Sequence, residues 1–260
     1  MTANPSSGGR HPVLFVGAGP GDPELITVKG QRALAEADLV VYTGSLVPDA
    51  LLRWTRPTAR TVSSAALHLN EVIELLASAH GEGSRVVRLH TGDPSLYGAI
   101  GEQMAELRRR AIPYAVVPGV TAAFAAAAAL GIEFTLPEIS QTLILTRMAG
   151  RTPVPEAERL EALAAHRASM AIYLSVDQAD AMAETLGRAY GPDAPCAVVV
   201  RASQPEEKII RTRLSELAAC VRAEGVTRQA VVVVGRVLDT DGGETRSKLY
   251  DKDFTHGYRR

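Results

Sequence analysis

Residues 17–22 read Gly-Ala-Gly-Pro-Gly-Asp, after the apolar run Val13–Val16 and before Pro23. A strand that ends in glycines and runs into a helix is the layout whose backbone N–H groups hold phosphates. The dinucleotide fingerprint G-x-G-x-x-G is incomplete here, because Asp22 stands at its third glycine. A carboxylate there repels a pyrophosphate, and Pro20 removes one N–H donor from the loop. Asp22-Pro23 reads instead as a helix N-cap and first helical residue. Gly-Asp-Pro recurs at 92–94, behind Arg85–Leu89 and His90-Thr91. Taken alone, the two triplets are equally well two ordinary helix starts. His90 is the one histidine that sits at a strand end, where open α/β sheets place their ligands.

Several chemistries lack their residues. The chain has no G-x-x-x-x-G-K-[ST], which excludes a P-loop, and no H-E-x-x-H or G-x-S-x-G, which leaves the common zinc-hydrolase and α/β-hydrolase readings without support. The histidines at 11, 68, 80, 90, 166 and 256 have no ligand spacing. Cys196 and Cys220 form no C-x-x-C, so neither a zinc site nor a disulfide framework is expected; both are read as reduced, buried and inert. This poverty suits a reaction with a pre-activated donor, such as methyl transfer from a sulfonium. The protein then supplies alignment and a dry site, and proximity alone is worth roughly 7–11 kcal/mol.

The elements that must position these residues alternate. Strands are expected at Val13–Val16, Leu39–Tyr42, Thr61–Ser63, Arg85–Leu89 and Tyr114–Val117, and helices at Leu25–Ala37, Leu69–His80 and Leu96–Arg110. That alternation argues for a mainly parallel sheet with helices on both faces. Pro118-Gly119 breaks the pattern, and Val120–Leu130 is a helix of small residues. A second strand series follows at Leu143–Thr146, Met170–Ser175, Ala197–Val200, Ile209–Thr212 and Val231–Val234, with directions left open. Gly150–Glu158 reads as an exposed proline-rich loop. The expected division is 11–118, 119–239 and a polar tail 240–260.

The 260 residues allow one large α/β domain or two smaller ones, each able to bury a core. A net charge of −1 supplies no basic field for nucleic acid. The polar start MTANPSSGGRH has no signal core, and no apolar run approaches the roughly 18–20 residues that span a bilayer. A cytoplasmic protein without nucleic-acid or membrane partners is expected.

Five segments together carry a resemblance. Gly17–Gly30 (GAGPGDPELITVKG), Tyr42–Pro48 (YTGSLVP), His90–Ile100 (HTGDPSLYGAI), Val117–Ala129 (VPGVTAAFAAAAA) and Gln141–Pro155 (QTLILTRMAGRTPVP) resemble the tetrapyrrole methylase superfamily, in order, over residues 12–258. Within it, YTGSLVP, HTGDPSLYGAI, the GRTPVPE loop, Glu207–Arg213 (EKIIRTR) and Ser247–Arg259 (SKLYDKDFTHGYR) are most similar to the precorrin-4 carbon-11 methyltransferases of cobalamin biosynthesis. The resemblance implies an α/β fold of two α/β/α domains with a ligand cleft between them. It also implies a homodimer, S-adenosyl-L-methionine as methyl donor with S-adenosyl-L-homocysteine as product, and a tetrapyrrole substrate.

Residue by residue, the resemblance makes Thr91, Gly92, Asp93 and Leu96 part of the donor-binding segment. Asp93 would accept from a cationic amine or a hydroxyl; its plain alternative is an N-cap ahead of Pro94. Thr121 and Ala122 match the pair that touches the methionine part of the donor. Leu174, Ala202, Ala230 and Val231 match positions around the adenine, and Pro20 matches a loop proline near the donor. The Gly17–Asp22 loop would then face the macrocycle, and no phosphate. Ser45 and Tyr97 are the candidate catalytic, substrate-facing polar groups. Arg53, Arg56, Arg88, Arg147 and Arg151 are candidates for substrate carboxylates. No metal ligands are expected. The rivals are the cobalt-containing form of the same substrate and the sister methylases of uroporphyrinogen, diphthine or ribosomal RNA. From other classes, an NAD-dependent reductase and a non-catalytic nucleotide-binding module remain.

Overall fold

Val13, Phe15 and Val16 are fully buried in the first strand, each worth roughly 1.5–3 kcal/mol of burial. That strand, β1 (Val13–Gly17), lies between two others in a computed structural model that describes residues 11–239 with 247, 248, 254, 255 and 257. The expected tail and most of Ser247–Arg259 fall outside the described residues. The chain divides into two compact units between Ala122 and Ala123.

The first unit is a wholly parallel sheet. β1, β2 (Leu39–Tyr42), β3 (Arg60–Ser63), β4 (Val86–His90) and β5 (Tyr114–Val117) take the order β3-β2-β4-β1-β5. Successive side chains point to opposite faces. Val16, Val40, Val87 and Leu89 pack with Leu34 of α1 (Val28–Glu36) and Leu51. Phe15, Val41 and Val86 pack with Ile73 and Leu76 of α2 (Leu69–Gly81) and Leu107 of α3 (Ile100–Arg109). Helices therefore cover both faces.

Helix starts differ from expectation. Asp22 does cap Pro23, its Oδ1 accepting from Glu24 N at 2.8 Å, but only over a 3-10 turn, Pro23–Leu25. α1 begins later, at Val28, capped by Thr27 Oγ1 accepting from Gly30 N at 3.1 Å. α3 begins at Ile100 instead of Leu96, because Tyr97 and Ala99 take left-handed φ values of 57° and 49° that end any helix. α4 (Ala122–Leu130) likewise starts two residues late.

The second unit is mixed. β6 (Leu143–Arg147), β7 (Ser169–Tyr173), β8 (Pro195–Val200), β9 (Lys208–Arg213) and β10 (Ala230–Val234) take the order β6-β7-β10-β8-β9. Only β6 and β7 pair in parallel. The parallel pattern expected from the first strand series holds in the first unit, and the directions left open for the second series are mixed. Seven residues, Arg201–Glu207, join β8 to β9, too few for a crossover and enough for a hairpin. Leu160 of α5 (Leu160–Ala164), Met182 and Leu186 of α6 (Ala179–Tyr190) and Val221 of α7 (Leu217–Ala223) close over Met170, Ile172, Cys196 and Val232. Burial drives the Cys196 thiol up to about 12, so it is inert. Cys220 is half-buried, not buried as expected, with its Sγ 3.4 Å from Thr212 Oγ1. Among the described residues no helix is long and apolar enough to cross a membrane.

Candidate functional site

The strand order of the first unit creates a switch point. The chain leaves β1 toward β2 on one side and leaves β4 toward β5 on the other, with β1 and β4 adjacent. Ligands of open α/β sheets sit beyond the carboxyl ends of strands at such a point. There the two glycine loops zip together. Ala18 N donates to His90 O at 2.7 Å, Gly92 N to Gly19 O at 2.8 Å, and Gly19 N to Gly92 O at 3.2 Å.

A third loop joins them from β5. A Cβ on Gly17 would lie 2.6 Å from Gly119 Cα and from Gly92 O, so only glycine allows the three backbones to approach. Asp93 fastens the assembly: its Oδ2 accepts from Gly119 N and its Oδ1 from Ser95 N, each at 2.8 Å. Both carboxylate oxygens therefore already hold backbone. Asp93 is the turn cap of the plain alternative and, in addition, a staple across 26 residues. Each oxygen keeps one further lone pair for a ligand donor.

Around this staple the expected residues gather. Gly92, Pro20 and Thr121 are buried; Thr91, Leu96 and Ala122 are half-buried; Tyr97 is 43% exposed. Ser45 belongs to the 3-10 turn Gly44–Leu46 after β2, and its side chain lies outside the described ones. Beside that turn a cavity of about 320 Å³ is lined by Tyr42, Gly44, Val47, Pro48, Asp49 and Ser63. His90 lies beneath, 2% exposed, with its ring 6.0 Å from Phe15 and no partner on Nε2. Burial, then the Arg88 charge, push its pKa down to about 3, so the imidazole is neutral at ordinary pH. A neutral, inward-facing histidine is a poor general acid.

In the second unit the remaining expected residues share one sheet edge. β7 and β8 both run antiparallel to β10, so their carboxyl ends meet its start. Leu174 follows β7 with φ 53° and 67% exposure, Ala202 follows β8 buried, and Ala230-Val231 open β10. Arg201 N donates to Gln229 O at 2.8 Å and holds the latter two segments together. An exposed leucine in a left-handed turn is strained by roughly 1–3 kcal/mol, and such strain clusters at ligand sites. Apolar Leu174 beside buried Ala202 and Val231 suits a flat aromatic base.

Most arginine candidates are committed internally. Arg56 pairs with Asp38, at the opposite end of the first sheet. Arg147 donates to the carbonyls of Met148, Thr152 and Pro153, at 3.1, 3.1 and 2.7 Å, and so ties down its own loop. Arg88 is 5% exposed inside the first unit and cannot meet a substrate carboxylate. Arg53 lies over Trp54 at 4.7 Å, and Arg151 is exposed.

A profile of the tetrapyrrole (corrin/porphyrin) methylases matches residues 12–218, which span both units. The chain belongs to the tetrapyrrole methylases. This methylase is 51% identical over 247 residues to the precorrin-4 C(11)-methyltransferase of Pseudomonas aeruginosa, covering 95% of the chain and 98% of the relative. It is 49% identical over 249 residues to the cobalt-precorrin-4 C(11)-methyltransferase of Methanocaldococcus jannaschii, covering 95% and 96%. A solved cobalt precorrin-4 methyltransferase superposes with a TM-score of 0.86 at 44% identity, covering 88% of this chain and 96% of that one. The uroporphyrin-III C-methyltransferase of Thermus thermophilus, complexed with S-adenosylhomocysteine, gives 0.72 at 30% identity, covering 88% and 93%.

Two positions of the methylase escaped sequence reasoning. Tyr173 Oη accepts from Ala123 N at 2.8 Å and caps the start of α4. Ser175, 1% exposed, accepts from Met148 N at 2.8 Å and donates to Tyr173 O at 2.7 Å, bracing the Leu174 turn on both sides. Their signal was two hydroxyl residues flanking Leu174, one at the last position of a buried strand and one two positions on.

Proposed function

We propose that this methylase transfers the methyl group of S-adenosyl-L-methionine to carbon-11 of precorrin-4, in cobalamin biosynthesis. Near-complete alignment at 51% identity with an enzyme named for that reaction carries the reading. The uroporphyrin enzyme, with its lower TM-score and identity, is a more distant likeness. The cobalt-containing substrate is the second reading, favoured by the Methanocaldococcus relative and the solved cobalt precorrin-4 enzyme.

The residues fit the donor: room at the Cβ position of Gly92, whose nearest neighbour is Thr121 Cα at 3.8 Å, and an exposed apolar turn at Leu174. Bound S-adenosylmethionine supplies a methyl already activated on a sulfonium. Thr91, Gly92, Asp93 and Leu96 bind the donor, Thr121 and Ala122 touch its methionine part, and Pro20 lies near it. Leu174, Ala202, Ala230 and Val231 hold its adenine. Tyr97 and Ser45 face the macrocycle. The nucleophile is a ring carbon made electron-rich by pyrrole nitrogen, so the chain's own work is alignment and exclusion of water. A cytoplasmic location accords with two free cysteines; a homodimer rests on the family resemblance.

Calorimetry of the purified protein with S-adenosylhomocysteine and with NAD tests the donor. Binding of the homocysteine compound alone is expected, and binding of NAD alone contradicts the reading. Parallel turnover of metal-free and cobalt-bound precorrin-4 separates the two substrate readings.

A further inference from the structure

Arg88 is a charged residue in the core of the first unit, 5% exposed, and burial alone lowers its pKa to about 10, with no carboxylate contributing. Such a charge is costly to bury. Its partners are neutral: Nε donates to Gln103 Oε1 at 3.1 Å, and Nη1 donates to Val41 O at 3.2 Å. Gln103, also 5% exposed, passes the contact on, its Nε2 donating to Ala99 O at 3.2 Å.

Ala99 closes an unusual segment. Tyr97 and Ala99 have φ of 57° and 49°, and a Cβ on the intervening Gly98 would collide with Pro94 O. The helix that follows has no side-chain cap. Two left-handed residues with side chains cost roughly 1–3 kcal/mol each, and such turns persist only where their surroundings over-determine them. Asp93 anchors the near end of the segment from above. The Arg88–Gln103 pair reaches its far end from the sheet.

We propose that Arg88 and Gln103 form a buried strut that holds the left-handed Tyr97–Ala99 turn through the Ala99 carbonyl, and thereby positions the Thr91–Tyr97 segment for donor and substrate. The link to ligands rests on the function proposed above; the link to the turn does not. Both are positioning residues, and neither touches the ligands. Gln103 is needed as an amide because it must accept from Arg88 and donate to Ala99 at once.

Gln103→Glu separates these duties. The carboxylate still accepts from Arg88 and neutralises it, but offers Ala99 no N–H. Two readouts follow on the full chain: amide exchange of residues 95–99 without ligand, and calorimetric affinity for S-adenosylhomocysteine. The strut predicts exchange about tenfold faster and affinity about tenfold weaker, one net hydrogen bond each, while the melting temperature holds. A merely structural pair would lower the melting temperature and leave both readouts alone. Exchange unchanged from wild type overturns the strut. Wild-type protein that fails to bind the homocysteine compound refutes the donor reading, and the exchange readout still decides the strut. If Gln103→Glu does not fold, Gln103→Met, which removes both contacts and so lowers the melting temperature as well, is judged by exchange at residues 95–99 relative to the rest of the first unit: faster exchange there supports the strut, and no local difference overturns it.

Discussion

Replacing Gly119 by alanine should unfold the switch point. A Cβ there would collide with Gly92 O and sit 2.8 Å from Gly17 Cα and 3.0 Å from Gly17 C. Every obstructing atom is backbone, so no side chain can swing aside. Overpacking costs about 1–3 kcal/mol where side chains absorb it. Here the loops themselves must part, which also stretches the bond from Gly119 N to Asp93, a charge-assisted contact worth about 1.5–3 kcal/mol. The sum is about 2.5–6 kcal/mol. Two other glycines calibrate it. Gly92 has room, its nearest neighbour being Thr121 Cα at 3.8 Å, but its φ of +61° costs alanine about 1–2 kcal/mol. Gly101 lies in α3 with no heavy atom within 4 Å, and alanine there should gain about 0.5–1 kcal/mol. Urea unfolding of the three variants measures all of this at once. A Gly119→Ala protein within about 1 kcal/mol of wild type, or less affected than Gly92→Ala, would refute the three-loop geometry.

Asp93→Ala removes two backbone anchors; calorimetry should find S-adenosylhomocysteine bound at least about tenfold more weakly, and unchanged affinity would reduce Asp93 to a turn cap. His90 is neutral when folded, with a pKa near 3 against 6.5 unfolded. Its contribution is complete above pH 6.5 and is lost as pH falls toward 3, about 2 kcal/mol by pH 5. His90→Gln should flatten stability between pH 5 and 7 by that amount, and an unaltered slope would contradict the assignment. Tyr173→Phe leaves the buried Ala123 N–H without its acceptor and should cost about 1–3 kcal/mol in a thermal melt; an unchanged melt would remove Tyr173 from the support of α4.

How much of this was legible depends on how local the cause is. The strands of the first unit are short apolar runs between turns, and their burial alone marks them. Asp22 was readable as a cap, since its contact spans two residues. The start of α3 was not: nothing local marks Tyr97 and Ala99 as left-handed, and Gly98 lies against Pro94. Strand direction in the second sheet is settled by pairing partners far along the chain, which no local pattern carries. The glycines of the first loop were legible as a close approach, and what Gly17 approaches is the backbone of two other loops. Arg88 looked like a surface cation beside a ligand loop, and strand alternation, which turns it inward with Val86 and His90, held the clue.

The central claim is the site of methylation. Incubation with precorrin-4 and donor carrying a ¹³C-methyl group, followed by NMR of the product, reads it directly. A single new methyl on carbon-11 is predicted. A methyl on any other ring carbon, or no transfer from a donor that binds, would contradict the account.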